Sequence, residues 1–173
     1  GTTHSTTKSK FGSSSILNTR ATGLTFSDHA DFDFGTGAFT IEAWINVAAA
    51  TADTMYIFGK VGSTNTDCRL GIQATTGKVW VDEQVSNTDA NIYSTNSVCD
   101  GVWHHIAVSR TSGGTTNLWV DGADNKTGGT NRNCDNSAAL GIGCNSANTT
   151  GAVVGYIDEV RVSKGVARYT TST

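Results

Sequence analysis

Carboxylates are the first chemistry to test, because hydrolysing a glycosidic bond takes two of them on one face about 5–9 Å apart. The adjacent pairs Asp82-Glu83 and Asp158-Glu159 lie in the strand-like runs KVWVDE and YIDEVRV. Neighbours in a strand point to opposite faces, so neither pair can act together on one sugar. Glu42 stands alone in FTIEAWI. These groups read as solvated or turn-bonding carboxylates, and no catalytic residue is expected. His104 and His105 invite a metal or acid–base reading, but consecutive strand residues diverge and cannot chelate one ion from the same side. His104 shares a face with Val102, Ile106 and Val108 and is the one expected to pack inward.

Two tryptophans bear on sugar binding. Trp80 and Trp119 alternate out of phase with Val79/Val81 and Leu118/Val120, so both face away from the core. They read either as an aromatic platform or as side chains packed under a loop or another subunit. Four cysteines, Cys68, Cys99, Cys134 and Cys144, lack any C-x-x-C spacing, which argues against zinc or a thioredoxin-like pair. They fit two disulfides, Cys68–Cys99 and Cys134–Cys144 being favoured because each closes the shorter loop; four buried free thiols are the other reading. Sequons at Asn125 and Asn148 fall in Gly/Asn-rich stretches, where glycosylation needs a permissive host.

Positioning these residues falls to short alternating strands. Phe39, Ile41, Ala43, Ile45 and Val47 alternate through AFTIEAWINV, and similar runs recur between Gly, Asn, Asp and Ser clusters. About ten strands at this spacing predict two packed antiparallel sheets and almost no helix. Asp121-Gly122, Thr76-Gly77 and Ser112-Gly113-Gly114 are the clearest turns. In YIDEVRV, Ile157 and Val160 fall on opposite faces unless a bulge intervenes, so a bulge or an edge meeting another subunit is expected. A net charge of −3, with no Lys/Arg run, gives nothing to draw a polyanion, and no apolar stretch is long enough for a membrane helix. Nucleic acid and membrane insertion are therefore not expected.

The polar segment 1–10, GTTHSTTKSK, cannot anchor itself in a core and is expected to be a flexible arm or a strand lent to a neighbour; residues 11–173 form the single domain. The start at Gly-Thr-Thr fits a processed form or an excised segment. Three ordered blocks, FGSSSIL with DFDFGTGAFTIEAWI, DGVWHHIAVSR with LWVDG, and GYIDEVRVSKGVARY, resemble the laminin-G-like domains of the concanavalin A-like lectin/glucanase superfamily, of the kind found in bacterial surface and phage tail or virion proteins. The resemblance implies an all-β jelly-roll sandwich of two curved antiparallel sheets. It implies little about activity, since one fold hosts many functions. The hydrolases of that superfamily carry a Glu-x-Asp-x-x-Glu strand, which this chain lacks. Several members hold calcium at the rim, which makes Asp28, Asp31 and Asp33, or Asp121, Asp124 and Asn125, candidate ligands, without any defined spacing. Otherwise no cofactor is expected. Two functions follow. One is a non-catalytic extracellular, cell-surface or virion subunit that self-assembles into a fibre through its arm, aided by the absence of Pro and by disulfides. The other is a glycan-binding adhesion module, with or without calcium.

Overall fold

The computed structural model describes residues 1–173 apart from 21, 63–66, 84–90, 129–131, 147–150 and 171–173. Among the described residues thirteen strands follow one another: β1 (Thr2–Ser5), β2 (Ser15–Thr19), β3 (Leu24–Phe26), β4 (Phe39–Asn46), β5 (Met55–Lys60), β6 (Cys68–Ile72), β7 (Lys78–Glu83), β8 (Asn91–Ser97), β9 (Trp103–Arg110), β10 (Thr116–Val120), β11 (Ala123–Gly128), β12 (Leu140–Ile142) and β13 (Val154–Lys164). They form a seven-stranded sheet in the order β1-β2-β13-β4-β9-β10-β11 and a six-stranded sheet in the order β3-β12-β5-β6-β7-β8. All strand pairings are antiparallel. Helix among the described residues is limited to one 3-10 turn, Ala30–Phe32. The architecture is the two-sheet antiparallel sandwich that the alternating pattern predicts, and it has the jelly-roll form that the resemblance implies.

Alternation builds the core directly. Phe39, Ile41, Ala43 and Ile45 point inward from β4 and join Leu70, Ile72, Val79 and Val81 of the other sheet in one buried cluster. Asp121 and Gly122, with φ of 53° and 78°, make the hairpin between β10 and β11 that Asp-Gly predicts.

The expected bulge is present in β13. Asp158 pairs with Trp44 and Arg161 with Glu42, so three steps on β13 match two on β4. Glu159 takes up the extra residue with φ of 49°. Asp158 and Arg161 thereby share the outer face while Ile157 stays in the core.

One end of the sandwich holds ions in its interior. Arg110 is fully buried and donates from Nη1 to Glu83 Oε2 at 3.2 Å and from Nη2 to the Gly35 carbonyl at 2.7 Å. Lys60, also fully buried, donates to Asp28 Oδ1 at 2.8 Å, Asp33 Oδ1 at 2.5 Å and the Asn136 carbonyl at 2.5 Å. Buried charges persist only when matched in this way.

Two expectations are corrected. Residues 2–5 are bound to their own chain: β1 pairs with β2, the amino terminus donates to Thr19 Oγ1 at 2.7 Å, and Lys8 Nζ donates to Asn46 Oδ1 at 3.0 Å. Backbone pairing supplies the anchoring that apolar side chains could not. The four cysteines are free thiols, and the favoured pairings do not match their positions. Cys68 stands opposite Glu83 at one end of β7, while Cys99 touches Gly77 just before the other end. That separation is roughly 20 Å, far beyond disulfide reach. Cys68 instead shares a hydrogen bond with Cys134, which with burial holds its thiol well above the ordinary range. Cys144 lies elsewhere, its thiol 3.7 Å from the Leu24 carbonyl.

Candidate functional site

Cross-strand register on the six-stranded sheet collects an aromatic row on its outer face. Tyr56 pairs with Gly71, Gly71 with Trp80, and Trp80 with Tyr93, so one line crosses β5, β6, β7 and β8. Gly71 is what lets the rings meet. A Cβ there would sit 2.9 Å from Trp80 Nε1 and would also collide with the Met55 carbonyl. With no side chain in between, Tyr56 and Trp80 make an edge contact with centroids 5.8 Å apart. The next row supplies polar groups: Arg69 pairs with Asp82 and Asp82 with Asn91. Arg69 forms a short salt bridge to Asp82 and lies over the Trp80 ring, its guanidinium carbon 5.7 Å from the centroid.

These two rows and Gln73 line a groove of about 250 Å³. Thr54 and Tyr56 are shared with a neighbouring hollow of about 390 Å³, walled by Arg20, Asp53 and Gly151. Gly151, at φ of 66°, has no side chain where a Cβ would strike the Tyr56 ring. Together the two adjoining hollows, which share Thr54 and Tyr56, make a polar trough with aromatic rings in its floor. The Trp80 indole N–H, buried in that floor, has no acceptor among the described residues. An unpaired buried donor costs about 1–3 kcal/mol, a cost that a bound acceptor would remove.

The opposite sheet carries a different cluster. Glu42 accepts hydrogen bonds from Arg161 Nε at 2.6 Å and from the Tyr169 hydroxyl at 2.6 Å, and its Oε2 lies 3.1 Å from His105 Nε2. Burial alone would raise the Glu42 carboxyl, but these three bonds hold it below its ordinary value. Its oxygens are committed to β13, β9 and, through Tyr169, the C-terminal segment after β13, where Thr40 Oγ1 also donates to the Val166 carbonyl and accepts from the Arg168 N–H. Phe11, Trp44 and the bulge residues complete a hollow of about 480 Å³ beside this centre. Asp82 faces outward and Glu83 inward toward Arg110 and Thr116, so that pair diverges as strand geometry requires.

Trp80 thus faces outward and lines this groove between Tyr56 and Tyr93, although it is only 7% exposed. Trp119 does not join it. It lies on β10 of the other sheet, 3% exposed, beneath Tyr169 at a centroid distance of 6.0 Å. The candidate cation ligands are also separated. Asp28 and Asp33 serve the Lys60 ammonium, whereas Asp31 sits on the surface beside His29. Asp121 accepts from the His105 N–H at 2.8 Å and lies 2.7 Å from His104 Nδ1. No group of three or more His, Cys, Asp or Glu able to hold a metal occurs among the described residues. His104 has the inward phase expected of it, yet it sits at the rim between Asp121 and Asp100, not deep in the core. The side chains of Asp124 and Asn125, and all of Asn148, lie outside the described residues. Tyr56, Tyr93 and Arg69 were missed; an aromatic opposite a glycine is a signal only once register is known.

A laminin-G-type family model, described as the concanavalin A-like lectin/glucanases superfamily, matches residues 18–168. No curated protein matches the chain. Among solved structures, the binding domain of Paraclostridial mosquitocidal protein 1 is similar at a TM-score of 0.71 and 13% identity, over 95% of this chain and 42% of that one. The chain thus spans less than half of that protein. Domain 4 of AbnA, a GH43 extracellular arabinanase from Geobacillus stearothermophilus, in complex with arabinotriose, gives 0.73 and 17%, over 96% and 77%. The Ruminococcus gnavus IT-sialidase CBM40 bound to α2,3 sialyllactose gives 0.70 and 14%, over 90% and 91%. Identities this low speak for the shared fold.

Proposed function

The chain belongs to the concanavalin A-like lectin/glucanases superfamily, and we propose that it is a non-catalytic, extracellular glycan-binding module whose site is the trough on the six-stranded sheet. The observation that carries this reading is the Tyr56–Gly71–Trp80–Tyr93 row with Arg69, Asp82 and Asn91 alongside. Pyranose and furanose rings present C–H faces that pack on aromatic surfaces, and hydroxyls that pair with carboxylate, amide and guanidinium groups. A concave site with an aromatic floor and a few convergent polar groups is the usual form of a small-molecule site. Support comes from the arabinotriose complex of the arabinanase domain and the sialyllactose complex of the sialidase module. The divergence of Asp82 from Glu83 and the commitment of Glu42 to three partners favour binding over hydrolysis. No helix among the described residues is long and apolar enough to cross a membrane. Fibre assembly rested on a free arm; with β1 already paired to β2, nothing in the structure favours it.

The test is calorimetry and a glycan array on the wild-type chain, with Trp80→Ala and Tyr56→Ala beside it. Each substitution should weaken binding at least about tenfold while the far-UV spectrum stays that of a β-sandwich. Binding that persists in both variants would move the site elsewhere, and no glycan bound at all would end the proposal.

A further inference from the structure

We infer that this trough selects uncharged saccharides and discriminates against those bearing a carboxylate. The inference rests on the glycan-binding reading above and goes further by naming the ligand class. Among the described residues two guanidinium groups line the trough, and each already faces a carboxylate. Arg20 Nη2 lies 3.0 Å from Asp53 Oδ2. Arg69 is held by Asp82, with Asp67 Oδ2 a further 3.8 Å contact. Among the described residues each of these cations thus already faces a carboxylate, and a ligand carboxylate approaching Arg69 meets the like charge of Asp82 bound there.

Burial makes the Arg69 pairing hard to undo. The Asp82 side chain is 1% exposed and that of Asp67 5%, so neither can turn into water to release the guanidinium. Displacing Asp82 from Arg69 would leave a buried, uncompensated charge, the costliest kind of broken pair. The other polar linings are neutral: Gln73, Asn91, Thr54 and the phenols of Tyr56 and Tyr93. Such groups answer hydroxyls with donors and acceptors and carry no net field.

The experiment compares matched saccharide pairs: neutral oligosaccharides and their uronate- or sialic-acid-bearing counterparts, by array and then calorimetry, at low and high salt. The neutral member should bind at least about tenfold tighter, with an affinity that changes little with salt. Asp82→Asn, which unmasks Arg69, should narrow the gap about tenfold. Asp53→Asn on the exposed rim should narrow it in the same direction without touching a buried group, and stands in if the first variant fails to fold. An acidic partner bound as tightly as the neutral one, with binding lost in Trp80→Ala, would overturn the selectivity while leaving the glycan site in place. A gap unmoved by either unmasking variant would overturn the electrostatic account. Absence of binding to every saccharide, neutral and acidic, would overturn site and selectivity together.

Discussion

Replacing Lys60 with Met tests how the interior of the sandwich is held. The ammonium donates to three oxygens, at 2.8 Å to Asp28, 2.5 Å to Asp33 and 2.5 Å to the Asn136 carbonyl. Met fills a similar volume without the charge, so packing changes little while three acceptors lose their donor. Removing one partner of a buried ion pair costs about 3–5 kcal/mol. Asp28 and Asp33 retain 37% and 25% side-chain exposure, so water recovers part of this. The expected loss is about 2–4 kcal/mol. For a domain of this size that lowers Tm by roughly 5–15 °C. Urea denaturation followed by tryptophan fluorescence measures it. Burial alone would lower the Lys60 pKa, but hydrogen bonds from the ammonium to Asp28 and Asp33 raise it above the usual value. Its contribution is therefore fully present below the unfolded lysine pKa of about 10.4 and lost only as pH rises through the higher folded value. The gap between wild type and Lys60→Met should accordingly stay level from neutral pH up to about 10. A loss under about 1 kcal/mol would refute the view that this ammonium is what holds the two aspartates and the Asn136 segment together.

Three further outcomes follow from the same geometry. Burial would lower the His104 pKa, yet Asp121 and Asp100 raise it, so its stabilisation is present below about pH 6.5 and fades as pH rises through the folded value; His104→Gln should cost about 1 kcal/mol or less at pH 5.5 and nearly nothing at pH 8.5, read from urea midpoints. Gly71→Ala should destabilise by about 1–3 kcal/mol and shift Trp80 emission, because its Cβ meets the indole nitrogen at 2.9 Å. In native protein a thiol reagent should modify the half-buried Cys99 first and leave Cys68 and Cys134 untouched until unfolding, when all four react; fewer than four equivalents after unfolding without reductant would contradict the free-thiol state.

What the sequence revealed depended on whether a feature was local. Period-two alternation in FTIEAWI is written within one strand, so the buried face of β4 could be read directly. The broken period in YIDEVRV likewise announced its bulge. The aromatic row was not legible, because Tyr56, Gly71, Trp80 and Tyr93 align only through the registers of three separate strand pairs. Lys60 meets residues 27, 32 and 76 positions away, beyond any motif. Short loop closure favoured the wrong cysteine partners because the chain between Cys68 and Cys99 makes three passes, along β6, β7 and β8, and so ends at the opposite end of the sheet. Trp80 and Trp119 were rightly assigned to outer faces, but no pattern within a strand says which sheet a strand joins.

The extra residue at Glu159 has a consequence for how this chain tolerates change. Upstream of it, β13 sends Ile157 inward and Asp158 outward; downstream, Arg161 points out beside Glu42 and Val162 pairs with Ile41. Deleting a single residue between Asp158 and Arg161 would invert everything that follows, driving the guanidinium toward the core and Val162 into water. Substitutions there need only accept a positive φ, which Asn or Gly would do readily. At this bulge, then, the number of residues is under tighter constraint than their identity.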